Sequence, residues 1–276
     1  MMSIAYCEGQ FAREEQILIP ITDRGFLYGH GVFTTVRVTD GKTEFWQQHM
    51  QRLAHDCSLL NIPCPHVDPE LVHELIRRND ALRGIWRLKI IITAGSGKHL
   101  DMRRCEDGRL LLMLAPYEEM SGKPCTLTIY PEPLSRPLSK IKSLAYLDRL
   151  CVSDYAQSKG FDDAIVTNAH AQVLETAFSN IFWCRDGSLY TPGFDLQLIP
   201  GVFLASLIDA AQASGMQIFK TPSVVDQIPS DANLFICNVL THIRPVISID
   251  GRPFPRNPTL EQHLAAAIWS ARAHKR

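Results

Sequence analysis

Along the first stretch of the chain apolar and polar residues alternate over short runs, which predicts strands at SIAYC, QFA and ILIPI. VFTTVRV and KTEFW flank Asp40-Gly41, a dipeptide favoured in two-residue hairpin turns. The period then changes. Trp46, Met50, Leu53, Cys57 and Leu60 recur at alternating spacings of four and three, so 46–60 is predicted as an amphipathic helix with one apolar stripe. Asp68-Pro69 starts a second helix that runs to about Asn79, with Asp as cap and Pro in the first turn. WRLKIIITA and RLLLMLA predict two strong strands, separated by the polar loop Gly95–Gly108.

PYEEMSGKP, residues 116–124, is polar and contains two prolines and a glycine, the composition of a linker. Beyond it the pattern predicts a strand (CTLTIY), a proline-rich passage and a helix from Tyr146 to Lys159. Short strands at AIVT, QVLE, NIFWC and SLYT lead to a helix from Val202 to Ser214. QIFK, NLFIC and PVISI precede a terminal helix from Thr259. No internal repeat and no low-complexity tract interrupts this order. The fold class expected is α+β in two domains, 1–116 and 125–276, joined through 117–124.

Composition narrows the function classes. The chain has 276 residues, 46% of them hydrophobic and 21% charged, which excludes disordered and fibrous material. A formal net charge of -1 provides no field to gather nucleic acid or an anionic membrane. No apolar stretch approaches the roughly 20 residues that span a bilayer. The N-terminus lacks a basic region followed by an apolar one, so no signal peptide is expected and the cytoplasm is the expected location. The cysteines, Cys7, Cys57, Cys64, Cys105, Cys125, Cys151, Cys184 and Cys237, form no C-x-x-C pair and read as reduced core thiols. The histidines form neither H-x-x-x-H nor H-E-x-x-H, so no metal site is expected.

Four positions could carry chemistry. Lys142, in KIKSLAYL, sits among apolar residues before a helix, where desolvation frees an amine for Schiff-base formation. Lys140 satisfies the same reasoning, and an ordinary surface lysine at a helix start satisfies it as well. In LIPGVFLASL, Pro200-Gly201 opens a helix whose free N–H groups suit a phosphate, although most helices begin this way and bind nothing. Glu175, in VLETAFSNIFW, reads as a residue at the turn between two strands. It is either solvated there or placed to hold a protonated pyridine nitrogen. Arg52 lies off the apolar stripe of the 46–60 helix, as a solvated charge or a phosphate clamp.

The order of these segments carries a resemblance. DRGFLYGHGVFTTVRV (23–38), HMQRL (49–53), IKSLAYLDRL (141–150), FDDAIVTNAHAQVLETAFSNIFW (161–183), LIPGV (198–202) and NLFICNVLTHIRPV (233–246) together resemble the fold-type-IV pyridoxal-phosphate enzymes. That group comprises branched-chain aminotransferases, D-amino-acid aminotransferases and aminodeoxychorismate lyases. The resemblance implies a smaller N-terminal α/β sandwich, a larger strand-rich C-terminal pseudobarrel, and pyridoxal 5'-phosphate between them. It also implies a homodimer whose partner completes the pocket. By the same resemblance Lys142 is the Schiff-base lysine and proton carrier, and Glu175 the carboxylate at the pyridine nitrogen. Arg52, Val202 and Phe203 hold the phosphate. Asn238 and Val239 belong to a loop with further phosphate and substrate contacts, Tyr146 approaches the cofactor hydroxyl, and Tyr28, Phe33 and Thr35 line the substrate side.

The subgroup is read from smaller differences. FTTVRV resembles the lyases, where branched-chain enzymes typically read FEGIR and D-amino-acid enzymes FEVVK. ICNVL and the closing RPV point the same way. The resemblance therefore implies 4-amino-4-deoxychorismate lyase activity, with an aminotransferase for D- or branched-chain amino acids as the alternative. Four positions depart from the lyase pattern: Ala94 and Leu204 where arginines are expected, Phe203 where a smaller residue is usual, and His30 where Asp is frequent. Lys98, Arg103 and Arg104 are the cations near enough in sequence to Ala94 to replace its missing charge.

Overall fold

Alternating apolar residues build a six-stranded antiparallel sheet from the first part of the chain. Its elements are β1 (Ile4–Cys7), β2 (Gln10–Arg13), the short helix α1 (Arg24–Tyr28), β3 (Gly31–Thr39), β4 (Lys42–Thr43), α2 (Trp46–Leu59), α3 (Pro69–Arg78), β5 (Ile85–Thr93) and β6 (Arg109–Pro116). The strand order is β2-β1-β6-β5-β3-β4. The computed structural model describes residues 3–97, 99–105, 107–135 and 138–273.

One face of this sheet is the core. Val32, Val36, Val38, Leu88, Ile90, Ile92, Leu112 and Leu114 pack against Leu53 and Cys57 of α2 and Val72, Leu75 and Ile76 of α3. Each such aliphatic side chain contributes about 1.5–3 kcal/mol through burial. The period of two puts Phe33, Thr35 and Arg37 of β3, and Lys89 and Ile91 of β5, on the opposite face. The hairpin joining β3 to β4 turns at Asp40 (φ 47°) and Gly41 (φ 73°), both in the left-handed region that such a turn requires. Asp68 caps α3 by accepting from the Glu70 N–H at 2.9 Å.

ILIPI is not a strand. Pro20 lacks an N–H for a ladder, and Leu18 and Ile21 stand 86% and 80% exposed. The α1 helix after it was not predicted; Asp23 starts it by accepting from the Gly25 and Phe26 N–H groups.

The second unit carries a nine-stranded mixed sheet. In chain order it comprises β7 (Cys125–Ile129), α4 (Leu147–Ser158), β8 (Asp163–Thr167), β9 (Val173–Thr176), β10 (Asn180–Arg185), β11 (Ser188–Thr191), α5 (Val202–Ala213), β12 (Gln217–Lys220), β13 (Asn233–Asn238), β14 (His242–Ile249), β15 (Arg252–Pro253) and α6 (Pro258–Ala273). The order is β12-β11-β10-β13-β14-β7-β8-β9, with β15 on β14. β9 returns beside β10, so the sheet curls. Leu127, Ile165, Ile181, Leu234, Ile236 and Val246 fill one core, and Val152, Ala156, Val166 and Leu174 another.

The two units are 1–119 with 141–146, and 120–140 with 147–276. The segment Ile141–Tyr146, placed by the sequence reading in the second domain, therefore clusters with the first. Cys64 and Cys151 are exposed rather than in a core, Cys64 in a proline-flanked loop and Cys151 on the outer face of α4.

Candidate active site

Lys142 is presented by strand-like pairing. Its carbonyl accepts from the Phe33 N–H at 2.9 Å, the Leu144 N–H donates to the Gly31 carbonyl at 2.9 Å, and Ser143 bridges Val32. The segment thus rides on the start of β3. So close an approach requires glycine: a side chain at Gly31 would run into Leu144, and Gly29 (φ 66°) abuts the backbone of Ala145. From α2, the Asp56 carboxylate accepts the Lys142 N–H at 3.2 Å. Burial pushes the Asp56 carboxyl above its ordinary range, with that N–H and the Arg52 charge opposing.

The Lys142 amine donates to the Tyr146 hydroxyl at 3.2 Å and lies 4.7 Å from the Phe33 ring centroid and 5.0 Å from that of Tyr146. The two rings meet edge to face, with centroids 5.0 Å apart. A second amine, that of Lys89, approaches Phe33 at 4.8 Å from β5, where Lys89 is paired with Thr35. The negative ring face offsets part of the repulsion between these cations. Burial, and then the charge of Arg87, lower the proton affinity of Lys89. Lys89 was not singled out from sequence, although a lysine within WRLKIIITA falls on the non-core face by its period.

Arg52 is not a solvated charge. It is half-buried, and its Nη2 donates to the Thr34 hydroxyl at 2.7 Å. The same hydroxyl lies 2.7 Å from His49 Nδ1. Burial, then the charges of Arg52 and Lys142, hold His49 well below its ordinary range. Among the described residues, His49 Nε2, Arg52 Nε and Ser143 Oγ are buried without a hydrogen-bond partner.

The other sequence-singled residues lie on the second unit. Glu175 lies inside β9, paired with Val166, and not in a solvated turn. It is 4% exposed. Its Oε1 accepts from Arg149 Nη2, and from the Ile199 N–H at 3.0 Å. Arg149 is the residue most clearly missed. With Val152 and Ala156 it forms the buried stripe of α4 at spacings of three and four. A charge on that stripe was the available signal.

α5 begins at Gly201 with no side-chain cap, and Val202 and Phe203 form the start of its first turn. The Phe203 ring stacks on His242 at 5.2 Å, and His242 meets Trp269 of α6 edge-on at 5.2 Å. The unexpected bulk at 203 therefore serves packing, as does the buried Leu204. Asn238 closes a turn: its Oδ1 accepts from the Leu240 and Thr241 N–H groups at 2.8 Å, and its Nδ2 donates to Ser179 Oγ at 2.9 Å. Val239 is half-buried within that turn.

Elsewhere on the first unit, Thr35 is half-buried and Tyr28 stands 52% exposed at the end of α1. His30 accepts from Arg24 Nε at 3.2 Å and faces the Leu60 carbonyl at 2.9 Å, so a neutral ring serves there in place of an aspartate. Ala94 is core, donating its N–H to the His30 carbonyl at 3.0 Å. Arg103 and Arg104 are exposed, both within reach of Asp101. Lys98 lies outside the described residues.

The chain is similar to known proteins over most of its length. Residues 31–249 match the family described as "Amino-transferase class IV". A putative branched-chain-amino-acid aminotransferase of Methanocaldococcus jannaschii is 28% identical, covering 90% of this chain and 88% of its own. A solved putative 4-amino-4-deoxychorismate lyase of Legionella pneumophila superposes with a TM-score of 0.86 at 27% identity, over 93% of this chain and 96% of that one. A hypothetical aminotransferase of Mycobacterium tuberculosis, solved in a PLP-bound form, gives 0.84 at 22% identity over 98% and 100%. A match over so much of its length, on a curled strand-rich fold of this kind, means that the chain belongs to the class IV aminotransferase family.

Proposed function

We propose that this protein is a 4-amino-4-deoxychorismate lyase that releases 4-aminobenzoate and pyruvate. Its cofactor is pyridoxal 5'-phosphate. When bound, that group supplies an aldehyde that condenses with amines and a ring that accepts the electron pair left by deprotonation. The residues fit it. Half-buried Arg52 has a buried Nε without a partner, and α5 has no side-chain cap at its N-terminus; each by itself is a donor suited to a phosphate. Lys142 is the amine that carries the cofactor. Lys142 would also be the base for the proton on the substrate carbon bearing nitrogen, and Tyr146 fixes its amine by the 3.2 Å hydrogen bond. Glu175 faces the ring nitrogen.

The observation that carries elimination over transamination is Thr35. It places a hydroxyl on the open face of β3, paired with Lys89 and two residues from Phe33. The resembling transferases have glycine or valine at this position. A hydroxyl there can donate to the ether oxygen that leaves with pyruvate, and the Lys89 ammonium matches a substrate carboxylate. An aminotransferase acting on D- or branched-chain amino acids is the second reading, supported by the M. jannaschii relative. It would use the same base, Lys142. Thr35→Gly separates the two: 4-aminobenzoate release should fall at least about tenfold while transfer from amino acids is kept. Unchanged release would contradict the role of Thr35 and favour the transferase.

We also propose that the protein is a homodimer. Leu18, Ile21, Phe26 and Leu100, in and near α1 and in the loop held to Arg24 through the His99 carbonyl, stand 71–86% exposed, large apolar side chains that a partner subunit would cover.

A further inference from the structure

Glu175 stands at a place where an isolated carboxylate would not stay charged. It is 4% exposed, in a strand flanked by Leu174 and Val173, both buried. Taking a carboxylate out of water favours its neutral form. Its charged partner is Arg149, 1% exposed, whose Nη2 pairs with Glu175 Oε1 and whose Nη1 donates to the Thr176 carbonyl at 3.1 Å. The second contact fixes the guanidinium to the same strand that carries Glu175. The Ile199 N–H, at 3.0 Å, fixes the carboxylate from the loop before α5. Among the described residues, Asp163 of β8 is a further titratable group bonded to this strand. It is occupied by Thr176 Oγ1 at 2.7 Å and by the N–H groups of Ala164 and Ala177 at 2.8 and 3.1 Å, so it braces the turn after β9.

We propose that Arg149 is a positioning residue that holds Glu175 as an ionised acceptor and thereby keeps the proton shared with the cofactor on the pyridine nitrogen. The inference rests on Glu175 facing that nitrogen. A proton between a carboxylate and a pyridine resides on whichever is the stronger base. A cation behind the carboxylate weakens it as a base and leaves the proton on the ring, where it strengthens the electron sink. A ring nitrogen facing a carboxylate without that cation would share its proton with a neutral acid instead. Arg149 thus acts through Glu175 and touches neither substrate nor reacting atoms.

The test reads the ring nitrogen directly, by NMR of holoenzyme reconstituted with nitrogen-labelled pyridoxal phosphate and titrated with pH. In Arg149→Gln, and in Arg149→Met as a second neutral replacement, the proton affinity of the ring nitrogen should fall at least about tenfold, one pH unit in its midpoint. Arg149→Lys keeps the charge but loses the two-pronged contact, so its midpoint should fall between native and Arg149→Gln. Circular dichroism melts establish which variants are folded. If neither neutral variant folds, Arg149→Lys decides, since a native midpoint there would overturn the proposal. A native midpoint in a folded neutral variant would overturn it equally. Glu175→Gln is the control for the underlying reading. If it leaves the nitrogen unchanged, the placement of Glu175 fails; if it moves the nitrogen and loss of Arg149 does not, only the Arg149 inference fails.

Discussion

Neutral His49, buried beside Thr34 and held well below its ordinary range, couples the stability of the first unit to pH. In the unfolded chain it takes up a proton near pH 6.5. Below that value the unfolded state binds more protons than the folded one, so stability falls as pH falls. Asp56 works in the opposite sense, because its folded value is raised from 3.8; its contribution lies at lower pH. Urea unfolding at about pH 7 and about pH 5 should therefore show a loss that is smaller in His49→Gln. Equal losses in both proteins would remove His49 as the cause. Single residues were unevenly legible in the sequence. Lys140 and Lys142 stood equal by local pattern; in the structure Lys140 reaches the Asp195 carbonyl at 2.8 Å, while Lys142 lies against Phe33 and Tyr146. Lys89 and Arg149 escaped because a charge within an apolar run is ordinarily read as a solvated tip on a buried stem.

At the scale of elements, α2 shows what periodicity can and cannot give. Its apolar stripe was legible, because Leu53 and Cys57 meet β3 and β5 as the spacing requires. The use of its other side was not, since His49, Arg52 and Asp56 become partners only when Thr34 and Lys142 arrive from distant sequence. Glu175 was misplaced for a related reason. The sequence ETAFSN looks like a turn, and β9 ends one residue after Glu175, but β8 and α4 cover what a lone hairpin would expose. The start of α5 is the element to which the proposed function assigns part of the cofactor's phosphate binding. Gly201 has no room for a side chain, because a Cβ there would collide with the Asn180 carboxamide oxygen, whose Nδ2 donates to the Ile199 carbonyl at 3.0 Å. Gly201→Ala should cost about 1–3 kcal/mol of stability and weaken pyridoxal phosphate binding. Thermal melts and fluorescence titration with the cofactor measure the two, and a variant native in both would show that the helix start tolerates a shift.

On the scale of the molecule, the order of strands and helices was read correctly almost throughout, since each run is long enough for its period to show. The assignment of Ile141–Tyr146 was not legible, because only its pairing with Gly31 and Phe33 ties it to the first unit. ILIPI looked like a strand by its apolar run, although Pro20, which cannot donate to a ladder, argued against it. Its exposed Leu18 and Ile21 belong to the surface on which the proposed dimer rests. Light scattering at micromolar concentration should give twice the mass of the chain, and Ile21→Glu with Phe26→Glu should give the monomer mass; a native protein that scatters as a monomer would remove the dimer. The activity itself is tested most directly by supplying purified holoenzyme with enzymatically generated aminodeoxychorismate and quantifying both products. Catalytic release of 4-aminobenzoate and pyruvate in equal amounts, lost in Lys142→Ala, is the expected result. Protein loaded with cofactor that releases neither product, yet converts amino acids to keto acids, would contradict the lyase and identify a transferase.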